Sequence, residues 1–310
     1  MPVAAIAKQL VRSSVTLTAL AFAAHDLALG WRLARGDRGT TLGVAAGIGP
    51  PAEGADYVEQ IHRWYIEAAG LPAFRGRVAE IGPGDSLGIG LLCRAGGAEH
   101  YVGVDRFAPY HDVAHQRAIY EVLAERVGRP DLLTHGTATG VKGVDYAVGE
   151  GAETYFRPDG PRYDVILSNA VLEHCQDPLA ALDAMLAALA PGGLMVQIVD
   201  LRDHGMFKGR HPLTHLTVPD WLWQLMVRNS GRPNRVPFSA YRAWLDRTGA
   251  NGVMTPTWLI GGNDGLGVAT TQRDAALALV RDIRPRLAEP FRYEADDDLA
   301  VATWTLVVRR

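Results

Sequence analysis

Apolar residues recur along positions 55–310 in two spacings, which predict strands that alternate with helices. Continuous apolar runs predict buried strands at 78–81, 101–105, 144–148, 163–168, 194–201, 253–260 and 301–308. Apolar positions three or four residues apart predict helices at 55–69, 87–95, 112–127, 178–190, 219–228, 241–248 and 272–283. Apolar strands separated by helices predict an α/β fold whose parallel sheet is covered on both sides.

The first 54 residues follow a different pattern from the rest of the chain. Residues 3–35 predict a mostly apolar helix, and the glycine-rich stretch 36–54 predicts a linker to a domain over 55–310. The apolar run within the helix covers about ten residues, whereas a span of a bilayer takes roughly 20. Three interpretations stay open: packing on the domain or on a second subunit as a homodimer, peripheral membrane contact, or a cleaved signal peptide.

Composition narrows the class of protein. The 310 residues carry a net charge of −3, which argues against a surface that binds nucleic acid. The two cysteines, Cys93 and Cys175, do not form a C-x-x-C pair, so a zinc ribbon or a disulfide framework is not expected. We assign no metal ligands, and we expect a cytoplasmic protein that is membrane-associated only if residues 3–35 bind lipid.

A glycine-rich turn follows the first strand, and an acid ends the second strand about 20 residues later. The turn is 82–86 and the acid is Asp105. Strand, turn, helix and distant acid are typical of nucleotide binding, because the acid accepts hydrogen bonds from ribose hydroxyls. Leu87 replaces the usual third glycine, and Glu80 stands two residues before the first one. Both departures disfavour a pyrophosphate and suit a ligand with a positive end.

Three segments, 78–86, 163–174 and 189–193, resemble motifs of the class I S-adenosylmethionine (SAM)-dependent methyltransferases. The resemblance is to the small-molecule branch known as the methyltransferase-11 type, and it covers residues 55–310. It implies a Rossmann-like, seven-stranded, mostly parallel sheet whose last strand is antiparallel. It also implies SAM as cofactor and methyl transfer as the reaction.

The resemblance implies a set of cofactor-binding residues. They are Glu80, Gly82, Gly84, Asp105, Glu150, Asn169 and Ala170. The first three would line the methionine end of SAM, Asp105 would hold the ribose, and Glu150 would lie near the adenine amine. Glu150 also fits a solvated loop acid, and Asp105 also fits a helix N-cap.

Residues 205–240, after the fifth strand, lack strand periodicity and are rich in aromatic side chains. We expect a lid or substrate insertion there, although a helix at 219–228 that simply packs its tryptophans is an alternative. His204 precedes this segment at the carboxyl edge of the sheet, so we predict that it is a general base oriented by Asp200 or Asp203. His174 and His211 are rival bases.

The sequence also restricts the acceptor. Amino-methylating nucleic-acid enzymes resemble one another in an Asn/Asp-Pro-Pro-aromatic motif after strand four, where this chain has Ser-Asn-Ala-Val at 168–171. We therefore expect a small-molecule, sugar or lipid-linked acceptor, and the histidines favour oxygen as its reacting atom. A non-catalytic SAM-binding partner subunit and a Rossmann oxidoreductase remain as alternatives.

Overall fold

Eight strands form one sheet in the part of the chain that the computed structural model describes, namely residues 13–37, 39–40, 47, 49–109, 112–262 and 267–310. The strands are β1 (Gly76–Ile81), β2 (Ala98–Asp105), β3 (Val144–Val148), β4 (Tyr163–Asn169), β5 (Leu189–Asp200), β6 (Asn251–Ile260), β7 (Gly267–Ala269) and β8 (Val301–Arg309). Their order across the sheet is β3-β2-β1-β4-β5-β8-β6-β7. The predicted α/β fold is confirmed.

The first five strands of the chain are parallel, and β8 runs antiparallel between β5 and β6. The short strand β7 adds a second antiparallel edge beside β6, so the sheet has eight strands rather than the expected seven. Three residues are too few to produce a readable alternation, which is why the sequence did not predict β7. The strand order reverses between β1 and β4, and open α/β sheets bind ligands at such a reversal.

Helices cover both faces of the sheet. They are α1 (Val15–Ala34), α2 (Pro51–Ala69), α3 (Gly88–Ala95), α4 (Val113–Arg126), α5 (Ala152–Tyr155), α6 (Pro178–Ala188), α7 (Asp220–Val227), α8 (Phe238–Thr248), α9 (Arg273–Ile283) and α10 (Asp296–Leu299). One core joins α2, α3 and α4 to the sheet, and a second core joins α5, α6 and α8 to the opposite face. Alternate residues of β1 enter different cores: Val78 belongs to the first and Ala79 to the second.

Several predicted boundaries differ from the structure, and two of these differences have a clear local cause. The linker ends at Pro50 rather than at residue 54, because Pro51 occupies the first turn of α2, where its missing N–H costs nothing. The helix predicted over 178–190 ends at Ala188, and Leu189 already pairs with Tyr163 in the sheet. The register then shifts, so that residues 190–193 form an irregularity inside β5 rather than a loop before it.

The N-terminal helix packs against the insertion that follows β5. Helix α1 begins after Ser14, whose side chain accepts a hydrogen bond from the Leu17 N–H, and residues 3–12 of the predicted helix lie outside the described residues. Ala19 and Ala23 of α1 share a buried cluster with Trp223 of α7. Trp223 of the insertion thus serves packing between α7 and α1.

Asp26 fixes the contact between α1 and the loop that follows α7. Its buried carboxylate accepts hydrogen bonds from the backbone N–H of Asn229 at 2.9 Å and from that of Ser230 at 2.8 Å. The Asn229 side-chain amide donates a third bond at 2.8 Å. A buried carboxylate is tolerated where donors satisfy it in this way. One side chain therefore ties two segments that lie about 200 positions apart in the sequence.

We expect Asp26→Ala to lower the free energy of unfolding by about 2–3 kcal/mol, because three buried donors lose their acceptor. Urea denaturation measures this loss. Asp131→Ala is a matched control, since Asp131 is exposed and pairs with its near neighbour Arg129. It should leave the urea midpoint unchanged, and an equally small effect of both substitutions would contradict the structural role of Asp26.

Candidate active site

A cavity of about 410 Å³ lies at the carboxyl edge of the sheet, where the strand order reverses. Its walls come from the segments that follow β1 to β5, and its lining includes Gly82, Gly84, Asp105, Glu150, Ala170, His174 and His204. Phe22 of α1 and residues 230–233 complete the lining. The volume lies within the range of small-molecule sites in proteins.

The turn after β1 requires glycine for two reasons. Gly82 and Gly84 have φ of +64° and +70°, a conformation that glycine adopts without strain. A Cβ on Gly82 would lie 2.5 Å from a Val171 methyl carbon in the segment after β4. The absence of a side chain therefore lets the segments after β1 and β4 approach each other at the cavity wall.

Asp105 ends β2 and lines the cavity, as the motif predicts. Its Oδ1 accepts a hydrogen bond from the Phe107 N–H at 3.2 Å. Burial raises the pKa of Asp105 to about 6, against the effect of backbone hydrogen bonds that favour the carboxylate. The side chain is therefore mainly a hydrogen-bond acceptor at neutral pH and mainly a donor in mild acid.

Glu80 does not line the cavity, in contrast to the role that the resemblance implies. Adjacent residues of a strand face opposite sides of the sheet. Because Ile81 faces the cavity, Glu80 points into the core that joins α2, α3 and α4 to the sheet. There its carboxylate accepts hydrogen bonds from the hydroxyls of Tyr65, at 3.0 Å, and Tyr101. Burial raises its pKa to about 7.

The other cofactor candidates divide between the cavity and its surroundings. Glu150 lines the cavity, and its carboxylate forms an ion pair with the Arg157 guanidinium at 3.1 Å. Ala170 lines the cavity with φ of +54°, an uncommon conformation for a residue with a Cβ that often marks functional sites. Asn169, the last residue of β4, is not part of the lining.

His174 and His204 lie side by side in the cavity wall, with ring centroids 4.9 Å apart. A carbonyl oxygen only accepts, so the contact of 2.5 Å between His174 Nδ1 and the Gly231 oxygen places the proton on Nδ1. Burial and the nearby His204 lower the pKa of His174 to about 4. The ring is thus neutral at physiological pH, and its Nε2 keeps a lone pair.

The carboxylate nearest to His204 is Glu173, with 3.7 Å between His204 Nε2 and Glu173 Oε1. Glu173 is buried in the turn Leu172–His174, and burial together with the charge of Asp200 raises its pKa well above the usual range. The backbone of His204 has φ of +50°, a second uncommon conformation at this cavity.

The acids predicted to orient His204 have other partners. Asp200 forms an ion pair with Arg202 at 2.6 Å. Asp203 accepts hydrogen bonds from two backbone N–H groups that follow it in the chain. The turn after β4 brings Glu173 beside the end of β5, where its Oε1 accepts a hydrogen bond from the Asp200 N–H at 3.3 Å, so Glu173 lies nearer to the His204 ring than either predicted acid does.

His211 lies apart from the main cavity. Its Nε2 donates to the Leu279 carbonyl oxygen at 3.0 Å, and its Nδ1 accepts from the Leu213 N–H at 3.1 Å. It lines a second cavity of about 310 Å³, to which His204 also contributes. His204 therefore borders both cavities, whereas both ring nitrogens of His211 are used in contacts with the backbone.

Glu173, His174 and His204 also form a group that could hold a metal ion. One potential ligand atom from each lies within 4.8 Å of the others. Two imidazoles and a carboxylate are a known ligand set for divalent metals. Metal binding would occupy the lone pairs that a general base needs, so the two uses exclude each other.

Sequence reasoning missed several residues at the site. Glu173 directly precedes His174 in a segment that resembles a family motif, so its position in the sequence could have indicated it. Phe22 and Arg232 have no such sequence signal. The Arg232 guanidinium lies 4.3 Å from the centre of the Phe22 ring, and this contact joins two distant segments of the chain. The Gly231 carbonyl that holds His174 is likewise a backbone group with no sequence signature.

A family model described as a methyltransferase domain matches residues 52–254. The chain belongs to the class I SAM-dependent methyltransferases. Membership of this family favours methyl transfer from SAM over the alternative of a Rossmann oxidoreductase.

Curated relatives match a shorter part of this methyltransferase. The chain is 37% identical over 87 residues to a protein of Cereibacter sphaeroides named ubiquinone biosynthesis O-methyltransferase. The match covers 23% of this chain and 35% of that relative, and another strain of the species has a protein of the same name at 36% identity. The chain thus spans about a third of the length of these relatives.

Solved structures with a similar fold are distant in sequence. The YcgJ protein from Bacillus is 13% identical, with a TM-score of 0.42 over 81% of this chain and 99% of that one. The N-methyltransferase NodS from Bradyrhizobium japonicum, in complex with S-adenosyl-L-homocysteine, is also 13% identical, with a TM-score of 0.39 over 82% and 86%. We draw no functional inference from likenesses at this level.

We expect the affinity for SAM to fall as Asp105 becomes protonated. If the carboxylate accepts hydrogen bonds from ribose hydroxyls, the pKa of about 6 means that binding weakens by up to about tenfold for each pH unit below that value. Calorimetric titration from about pH 8 down to about pH 5 measures this dependence. Asp105→Asn should bind weakly throughout and lose the pH dependence, whereas constant wild-type affinity would contradict the assignment.

Proposed function

We propose that the enzyme transfers the methyl group of SAM to a hydroxyl oxygen of a small-molecule, sugar or lipid-linked acceptor, with His204 as general base. The observation that carries the proposal is one cavity wall that contains the glycine turn, Asp105 and two adjacent histidines. Binding residues for the cofactor and a base for the acceptor therefore lie within reach of one ligand.

SAM would occupy the main cavity across the reversal of strand order. The backbone at Gly82 and Gly84 would face its methionine part, Asp105 would accept from the ribose, and Glu150 would accept from the adenine amine. Ala170 would form the wall beside the sulfonium. Glu80 and Asn169 are left out of this arrangement, because neither lines the cavity.

His204 is favoured as base by its position between two cavities. The larger cavity fits the cofactor, and the smaller one, which His204 also lines, offers room for the acceptor. In the transfer, an oxygen lone pair attacks the methyl carbon while the C–S bond breaks and its electrons return to sulfur. The hydroxyl proton passes to the imidazole ring of His204, which becomes the imidazolium.

His174 has a supporting role in this proposal. Its low pKa makes it a weaker proton acceptor, and its Nδ1–H is committed to the Gly231 carbonyl. The neutral ring would form part of the wall beside the acceptor and would add no charge that opposes the sulfonium.

The partial relatives support oxygen as the acceptor atom, because their name describes O-methyl transfer. Their match covers only about a third of their length, so the support concerns the type of chemistry and leaves the acceptor open. The acceptor is best found by incubating the enzyme with methyl-labelled SAM and a cell extract and then identifying the labelled product. SAM binding without any labelled product would favour a non-catalytic partner subunit.

With the product identified, we expect His204→Ala to lower kcat at least about tenfold while the affinity for SAM stays within about twofold. His135→Ala is the matched control, and kcat should be unchanged in it because His135 is exposed and lines neither cavity. A loss of kcat in a His211→Ala variant with an active His204 variant would contradict the proposed base.

A chelator separates the base from the metal alternative. The proposal predicts that EDTA treatment leaves kcat unchanged. Loss of activity that a divalent metal restores would instead assign Glu173, His174 and His204 to metal binding and overturn the role of His204 as base.

A further inference from the structure

Helix α1 exposes a continuous apolar face on the side away from the protein. The large exposed side chains are Leu17, Leu20, Leu27 and Trp31, with exposed fractions between 46% and 71%. At 100° per residue, these positions fall within an arc of about 80°. Asp26, which is buried, lies on the opposite side of the same helix. The helix is therefore anchored by one face and leaves an apolar face without a partner among the described residues.

Helix α7, which packs against α1, also exposes apolar side chains. Trp221 is 66% exposed and Leu225 is 38% exposed. We call the six side chains the α1–α7 surface: Leu17, Leu20, Leu27, Trp31, Trp221 and Leu225. Soluble monomers rarely leave such clusters uncovered unless the cluster binds something.

The charges around this surface indicate the kind of partner. The first 52 residues carry five Lys or Arg against two Asp, a net charge of +3, in a chain whose net charge is −3. Of the two acids, Asp26 faces inward and Asp37 pairs with Arg32. Cations therefore precede and follow α1 in the sequence, and exposed Arg228 follows α7. A positively charged N-terminal segment in a chain of negative net charge favours binding to an anionic surface.

An apolar helical face with a tryptophan near one end and cations at both ends is typical of a helix that lies in a membrane interface. Trp31 occupies that position in α1, next to Arg32 and Arg35. In the described part of the chain, the helices are too short or too polar to cross a bilayer. Contact along the surface of the membrane, rather than insertion across it, is the geometry that these features fit.

The same helix reaches the active-site cavity. Phe22 of α1 lines that cavity, and Asp26 holds Ser230, the first residue of the loop 230–233 that also lines it. The Gly231 carbonyl in this loop holds the ring of His174. A bilayer on the outer face of α1 would therefore lie about one helix diameter, some 10 Å, from the cavity wall that Phe22 forms.

We propose that the α1–α7 surface docks on an anionic lipid bilayer. The proposed function, on which the next step rests, then implies an acceptor that is dissolved in or linked to the lipid. An acceptor hydroxyl at the membrane interface would reach the cavity past Phe22 without leaving the lipid surface.

Co-sedimentation with vesicles tests the docking. We expect the full chain to bind vesicles of phosphatidylcholine and phosphatidylglycerol, and to bind pure phosphatidylcholine at least about tenfold more weakly. The double variant Leu20→Asp/Leu27→Asp should lose at least about tenfold in binding to the mixed vesicles while its SAM affinity stays within about twofold. Val113→Asp is the matched control, because Val113 is 73% exposed on α4, outside the surface, and its binding should not change.

A charge variant covers the case in which the apolar substitutions disturb the fold. Arg35→Glu and Arg228→Glu alter exposed cations, and each should weaken binding to the mixed vesicles by about fivefold or more. Unchanged vesicle binding in both sets of variants would overturn the proposal. A second result would also overturn it. If light scattering shows a stable dimer that binds no vesicles, and the double variant is monomeric, the surface serves a second copy of the chain. Vesicle binding by a protein that transfers no methyl group would leave the docking intact and contradict the proposed function.

Discussion

The close approach of the segments after β1 and β4 is the constraint on which the site depends. Gly82 makes it possible, since a Cβ there would meet Val171 at 2.5 Å and the backbone already has a left-handed conformation. The reversal of strand order opens a crevice at this edge of the sheet, and the glycine lets the two segments form its adjoining walls. Ala170 and His174 thereby come to line the same cavity as Asp105.

The site extends beyond the sheet through a series of buried hydrogen bonds. Asp26 of α1 holds Ser230, and the neighbouring Gly231 carbonyl fixes the tautomer of His174. Burial keeps that ring neutral, so its free nitrogen faces the cavity without a charge to compete with a sulfonium. The N-terminal helix lies outside the residues that the family model matches, yet it supplies both a lining side chain and the anchor of this series.

The sequence was sufficient for the fold and for the part of the site that motifs encode. Gly82, Asp105 and His204 were predicted from a turn, a strand end and a strand edge, and the structure brings all three to one cavity. Glu80 was expected at the cofactor but does not line the cavity, because the motif gives its spacing while the direction of a strand side chain depends on which face its neighbour Ile81 uses. Contacts such as that between Asp26 and Ser230 join distant segments and leave no local pattern.

The placement of SAM at the turn after β1 depends on Gly82. Calorimetric titration of SAM into a pair of matched glycine variants tests this placement. Gly82→Ala adds a Cβ that collides with Val171, and Gly128→Ala adds one at nearly the same φ, +66°, with nothing within 4 Å. We predict that Gly82→Ala weakens SAM binding at least about tenfold and that Gly128→Ala binds as the wild type does. Wild-type affinity in a folded Gly82→Ala variant would contradict the placement of the cofactor at this turn.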